Sequence, residues 1–344
     1  MAYISFQPSD FFGTVLYTGN STADRQITQG FQPDMAWARS RTNTEDPAIF
    51  DSVRGEYRLM ANNANAQDSN SGVTAWNSTG YVVGSTDSFN SNSQSFVNWA
   101  WKAGTTTGID TTGSTITPSG YSFNATCGFS VVKYTGNDTS GATVPHGLGV
   151  APAMVIVKSL VDHNWVVQHQ SLGPTKHIYL DTTAGSASAT NRWNDTAPTA
   201  VNVVLGNTPS TNGSGGGDSP FIMYSFAEKK GFSKFSSFVG NGNNNGTMVY
   251  TGFRPAFILV KKVSASDWFI WDDKRSTTGK NVCDDTIMSN NNSVETSVNI
   301  DINANGFKLR DTNVDANDAG SKFIYAAFAE FPVVSSNSKA GVAR

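Results

Sequence analysis

The chain repeats itself. Tyr17-Thr18-Gly19-Asn20 returns as Tyr134-Thr135-Gly136-Asn137 and, in a worn form, as Phe238-Val239-Gly240-Asn241. Each copy is followed by a proline that opens an apolar run: Pro33, Pro152 and Pro255 stand 14, 16 and 15 residues beyond the glycine. Each unit also closes on two aromatics five apart, Phe96 and Trp101, Phe221 and Phe226, Phe323 and Phe328. Successive marker glycines lie 117 and 104 residues apart, far beyond the roughly 20–50 residues of solenoid and propeller repeats. A period near 110 residues suits a small domain with its own core, so three tandem units account for the 344 residues.

Within a unit the apolar stretches are short, rich in Val, Ile, Phe and Trp, and bounded by Gly, Asn, Ser, Thr and Asp, as in Met154 to Val157, Trp165 to Val167, Phe257 to Val260 and Trp268 to Trp271. Such runs read as buried strands. Tyr325 to Ala329 would also suit a helical turn, but no long 3.6-residue period supports helices elsewhere. The expected fold is all-β, three tandem β-sandwich modules of jelly-roll-like form, each proline sitting at a strand start, where a missing N–H costs least. The expected boundaries are module 1 over 1–104, a Thr/Gly/Ser linker over 105–120, module 2 over 121–230, module 3 over 231–334 and a tail over 335–344. With no linker at Glu228-Lys229-Lys230-Gly231, modules 2 and 3 are expected to pack more rigidly than modules 1 and 2.

Charged residues make up 15 % of the chain and the formal net charge is −3, against about 25 % charged residues in ordinary soluble domains. Nothing in that balance draws the chain to nucleic acid or to anionic lipid. Cys127 and Cys283 fall in different units and read as two buried free thiols. The opening Met1-Ala2-Tyr3-Ile4-Ser5-Phe6 lacks a charged n-region, and no run reaches 18 apolar residues, so neither a signal peptide nor membrane insertion is expected.

No constellation rises to a catalytic motif. His146, His163, His169 and His177 all lie in the second unit, but without metal-ligand spacing, and His169 corresponds to Asp272 and roughly to Asp51 in the other units. Asp51, Asp272, Asp273, Glu228 and Glu330 are the candidates for a glycosidase carboxyl pair, yet Glu228 and Glu330 match across repeats and read as architectural. Asp284-Asp285 and Asp311 to Asp318 lack the order of a calcium loop, and Gly213 to Gly217 lacks the Lys-Ser or Lys-Thr of a phosphate cradle. No cofactor or metal is expected. Trp37, Trp99, Trp101, Trp165, Trp268 and Trp271 sit in the strong strands and read as core. Trp76, Tyr179 and Trp193 fall in polar surroundings away from those positions and are the candidate ligand contacts, since sugar rings stack on such faces.

One resemblance spans essentially the whole chain. Phe6-Gln7-Pro8-Ser9-Asp10-Phe11-Phe12, Gly30-Phe31-Gln32-Pro33-Asp34, Phe50-Asp51-Ser52-Val53-Arg54-Gly55, Trp99-Ala100-Trp101-Lys102-Ala103-Gly104, Phe226-Ala227-Glu228-Lys229-Lys230-Gly231 and Asn305-Gly306-Phe307-Lys308-Leu309-Arg310 together resemble a group of tailed-bacteriophage virion and tail-fibre-like proteins common in marine phages. Ala36 and Ala38 depart from the bulkier residues of that group and imply a strand that is more exposed or contacted by a neighbour. The resemblance implies a non-enzymatic structural virion protein, a tail fibre or tail-associated appendage, made in the host cytoplasm. Its partners would be other virion proteins, further copies of itself, a homotrimer first, and a host surface glycan. A capsid decoration or collar protein is the alternative, and a polysaccharide depolymerase ranks behind both.

Overall fold

A computed structural model describes residues 4–69, 72–85, 87–213, 219–276 and 282–331 of the chain. The regular structure of the described residues is almost all antiparallel strand, with a 3-10 turn at Pro8–Asp10 and one-turn helices at Asp87–Asn90, Thr190–Trp193 and Val314–Asn317. Tyr325 to Phe328 belong to the strand Lys322–Phe328, as the all-β reading required, and Ala329 follows directly on it. Every ladder joins strands from the same third of the sequence.

In the first third, a five-stranded sheet runs in the order Phe12–Thr18, Ser95–Trp101, Met35–Ser40, Ala48–Asp51, Arg58–Met60. It faces a three-stranded sheet of Arg25–Thr28, Gly80–Val83 and Val73–Asn77. In the second, Phe129–Thr135 and Met154–Ser159 flank Pro220–Phe226, the sheet continues through Val166–His169 and Lys176–Tyr179, and the facing layer is the pair Ala142–Pro145 and Asn202–Leu205. In the third, one eight-stranded sheet passes a bulge between Cys283 and Asp285, and both its halves contribute side chains to one core. Leaving aside the edge strand Gly120–Asn124 of the second, the first strand of each third pairs with its last and the second strand with a late one, the nested pairing of a jelly roll. The third to fifth strands instead form a simple meander.

The repeated motif is the corner that closes this nesting. After the first strand, the backbone N–H of Asn20, Asn137 and Asn241 donates to the side-chain oxygen of a fully buried asparagine ahead of the last strand, Asn90, Asn212 and Asn317, at 3.0, 2.9 and 3.1 Å. The buried amide in turn donates to the carbonyls of Thr22, Thr139 and Asn243. The marker glycine is required because the two segments touch: a Cβ on Gly19, Gly136 or Gly240 would lie 1.9, 2.3 or 2.4 Å from the carbonyl oxygen of Ser91, Asn212 or Asp318. The tyrosine before it stacks on the first aromatic of the closing pair, Tyr17 on Phe96 and Tyr134 on Phe221, with Phe238 on Phe323 in the worn copy.

A spacing of five in a strand puts two side chains on opposite faces. The first aromatic of each pair therefore lies with the outer core of its own sandwich, while the second, Trp101, Phe226 or Phe328, points the other way into a cluster built from all three thirds. These three rings touch one another with centroids 6.2, 5.7 and 5.5 Å apart. Around them stand Met35, Met154 and Phe257, their in-register neighbours at the start of the third strand. Three sandwiches thus turn one sheet face each toward a shared aromatic centre, an internal pseudo-threefold arrangement. The six tryptophans expected in the core are all buried.

Two expectations change on this frame. The run expected as a linker, 105–120, is fastened to the second sandwich: Ile116 is buried in its core, Thr105 bridges Phe123, and Asn202 holds the Thr112 carbonyl and the Ser114 hydroxyl. Gly120–Asn124 adds an edge strand there. Ala36 and Ala38 are not exposed: they lie under the helix Asp87–Asn90, and their small side chains make room for Phe50 and Phe89, packed edge to face at 5.0 Å. The tail expected over 335–344 lies outside the described residues, as does most of the Gly213 to Gly217 stretch.

Candidate functional site

The polar chemistry of the chain concentrates where the sandwiches meet, and it follows the same cycle at all three junctions. Asp51, His169 and Asp272 occupy one register position, each opposite the first residue of the third strand. Each is buried and bonds to the last strand of the next sandwich. Asp51 Oδ2 accepts from Tyr224 Oη at 2.7 Å, His169 Nε2 meets the Tyr325 carbonyl at 3.1 Å, and Asp272 Oδ2 accepts from Trp99 Nε1 at 2.9 Å. Asp51 and Asp272 also each hold a buried arginine three residues on, Arg54 at 2.6 Å and Arg275 at 2.5 Å.

Four residues further along the third strand, Arg39, Lys158 and Lys261 again share one position and are essentially without exposure. Each crosses to the preceding sandwich and donates to a backbone carbonyl, Arg39 to Ser293, Lys158 to Ala64 and Lys261 to Thr183. Burial pushes the two lysines down to about 8 from their ordinary 10.5. Two residues beyond each, the carbonyl of Arg41, Leu160 or Val263 accepts the N–H of Glu295, Gln67 or Ser186 at 3.0, 3.1 and 2.8 Å. Such carbonyl cages replace the water a buried cation loses. The arrangement fixes three sandwiches in a ring; none of these groups faces a cleft with an unpaired nucleophile beside it.

The remaining candidate carboxyls are tied in ion pairs. Glu228 pairs with Lys234 at 2.7 Å and Glu330 with Lys274 at 2.9 Å, so the matched positions are strand-end ion pairs. Asp273, beside Arg254 and Glu330, is pushed by burial up to about 6. Among the described residues no group of three or more His, Cys, Asp and Glu side chains converges as metal ligands would. The histidines stand apart, and His146, His169 and His177 are each held by burial down to about 4. Cys127 and Cys283 are free and buried, their thiols pushed up to about 12 by loss of solvent.

The three candidate ligand aromatics do not form one site. Trp76 is half-buried on the outer sheet of the first sandwich, tilted against Tyr81, with Nε1 donating to the Gly55 carbonyl. Tyr179 is half-buried at the junction of the second and third sandwiches, its hydroxyl accepting from Arg192 and its carbonyl from Trp268 Nε1. Trp193 is fully buried in the second core, which takes it out of reach of an external ring. Its polar sequence neighbours misled because they sit in a one-turn helix that presents a single side chain inward.

A profile described as a domain of unknown function, DUF7483, matches residues 7–332. The chain belongs to the DUF7483 family. The matched span takes in all three sandwiches, so the DUF7483 domain is the whole ring rather than one repeat of it. No curated protein and no solved structure matches the chain.

The DUF7483 ring carries one departure from its own repetition that sequence reasoning missed. At the position before Asp51 and Asp272 stand Phe50 and Trp271, whose buried rings fill their sandwich cores. Before His169 stands Gln168. Beside it a cavity of about 200 Å³ opens at the end of the second sandwich. Its lining is mostly apolar, with Pro152, Pro174, Ala197 and Pro198 in it, and His169 and Gln170 stand beside Gln168 as its polar members. Gln168 is 4 % exposed, and its Oε1 has no hydrogen-bond partner. Aligning the repeats on His169, Asp272 and Asp51 would have singled out this glutamine.

Proposed function

We propose that the chain is a non-enzymatic structural component of a tailed-bacteriophage virion, a tail fibre or tail-associated appendage. The observation that supports this reading best is what the buried charges do. Asp51 and Asp272, the first candidates for a hydrolytic pair, are each bound to an arginine and to a ring hydroxyl or indole N–H of the next sandwich. They hold the molecule together, and a carboxyl so engaged at 0 % exposure is out of a sugar's reach. A rigid ring with its polar side chains committed to internal ties suits a particle component. Assembly into a homotrimer and contact with a host glycan through the half-buried Trp76 or Tyr179 belong to the same proposal, with the external surface supplying the contacts, since the central faces are already used.

Localising and counting the chain in purified virions by cryo-electron microscopy tests it. Density on the tail in threefold or sixfold copies is expected. Density spread over the capsid lattice would replace the appendage by a decoration protein, and absence from the particle would end the virion reading.

A further inference from the structure

We infer that the cavity beside Gln168 is a binding site for a single aromatic ring that carries an N–H or O–H donor. The molecule's two other sandwiches supply the comparison, independently of the virion reading. In all three, the residue in question is paired in register with the second residue of the third strand, Ala36, Val155 or Ile258, and both side chains face the sandwich core. Phe50 and Trp271 fill that place at 0 % exposure. Trp271 also shows how the place is satisfied when the ring is polar: its Nε1 donates to the Val298 carbonyl at 2.7 Å.

The second sandwich lacks the ring and has an opening instead. Its outer layer is a pair of strands, where the first sandwich has three, and the segment through Ala197 and Pro198 stands over the gap. Three prolines and three alanines supply most of the wall and leave it little freedom to collapse, while His169 and Gln170, the other polar lining residues, are already engaged with the Tyr325 and Phe235 carbonyls. At about 200 Å³ the space falls short of the roughly 300–1,000 Å³ that drug-sized ligands occupy. It therefore takes one ring. Gln168 lines the cavity, and its Oε1, without a partner, is sealed from water where it stands; turning the amide about its last torsion presents it to a donor on the entering ring. A phenol or an indole supplies the ring and the donor together. The source is either a free small aromatic or a tyrosine or tryptophan side chain of a partner polypeptide.

The test is a titration of the full chain with p-cresol, toluene and N-acetyltyrosinamide, followed on the methyl signals of Ala153, Val155 and Ala197. Saturable shifts with p-cresol are expected, with toluene weaker by about fivefold, the worth of one hydrogen bond. Replacing Gln168→Phe restores the residue type of the sister sandwich. It should abolish the shifts while the thermal midpoint holds or rises, which separates a filled pocket from a misfolded chain. In Gln168→Leu the advantage of p-cresol over toluene should vanish. N-acetyltyrosinamide binding as well as p-cresol assigns the ring to a partner polypeptide, and its rejection assigns it to a free aromatic; both support the site. No shifts, or the same shifts in Gln168→Phe, overturn the inference, and equal affinity for toluene and p-cresol in the wild type overturns the role of Gln168.

Discussion

Asp51 and Arg54 show how strongly single residues bear on the ring, because neither has any side-chain exposure and their bond at 2.6 Å lies under Tyr224. Removing one member of such a pair leaves the other charge buried, which costs about 3–5 kcal/mol, whereas replacing both by apolar residues is far cheaper. Asp51→Asn should therefore lower stability in chemical denaturation by about that amount, and Asp51→Leu with Arg54→Met by clearly less. A double-variant loss as large as the single one would mean the pair is valued for its bond to the second sandwich. The histidines set a second expectation. His146, His169 and His177 bind protons in the fold only near pH 4 but near 6.5 when unfolded, so acidification through that window drains stability. Asp181 and Asp273, raised by burial to about 6, act in the opposite sense between pH 6 and 3.8. Three groups outweigh two, and the unfolding free energy should fall from pH 6.5 to 4. His169→Gln keeps a donor for the Tyr325 carbonyl and removes one titration, so its stability-pH profile should be shallower.

At the level of elements, much of the fold was legible because repetition supplies its own controls. The marker glycines, the prolines and the paired aromatics were visible in sequence, and each proved to have a contact that explains it. The residue after each proline, Asp34, Ala153 or Ala256, donates its N–H to the carbonyl of the second closing aromatic at 2.8, 2.7 and 2.7 Å. The all-β reading followed from short branched and aromatic runs whose burial is set locally. What stayed hidden was the direction in which a strand's second face points: Met154 and Ile156 look the same in sequence whether they meet solvent-side loops or two other sandwiches. The fastening of 105–120 was hidden likewise, since a Thr/Gly/Ser run shows no period even when the Asn202 side chain binds its Thr112 carbonyl and Ser114 hydroxyl. Trp193 and Gln168 mark the same limit at the candidate site, one read as exposed and found buried, the other unremarkable until its two counterparts are laid beside it. The glycine explanation can be checked directly. Gly136→Ala would place a methyl 2.3 Å from the Asn212 carbonyl oxygen, and overpacking of this kind costs about 1–3 kcal/mol. Gly30→Ala, where φ is +85° but no atom lies within 4 Å, isolates the backbone term and should cost about 1 kcal/mol.

For the molecule as a whole, each sandwich keeps an outer core of its own but has its inner sheet face covered only by the other two. A lone second unit would expose Met154, Ile156, Ile222, Tyr224 and Phe226 together, a continuous apolar sheet face. Residues 105–230 expressed alone should aggregate or self-associate. The full chain should unfold in one calorimetric transition whose measured and van't Hoff enthalpies agree. Three separated transitions would show that the sandwiches are independent after all. The ring also carries a licence that a true trimer of identical subunits lacks. In a homotrimer, exchanging a core aromatic for glutamine would be suffered at every protomer simultaneously, with three holes to bear. Gathered into one polypeptide, the three places are separate genetic positions, and Phe50 and Trp271 can go on stabilising two of them while the third diverges. Carrying the repeats in one polypeptide thereby turns a structural redundancy into room for novelty at a single address.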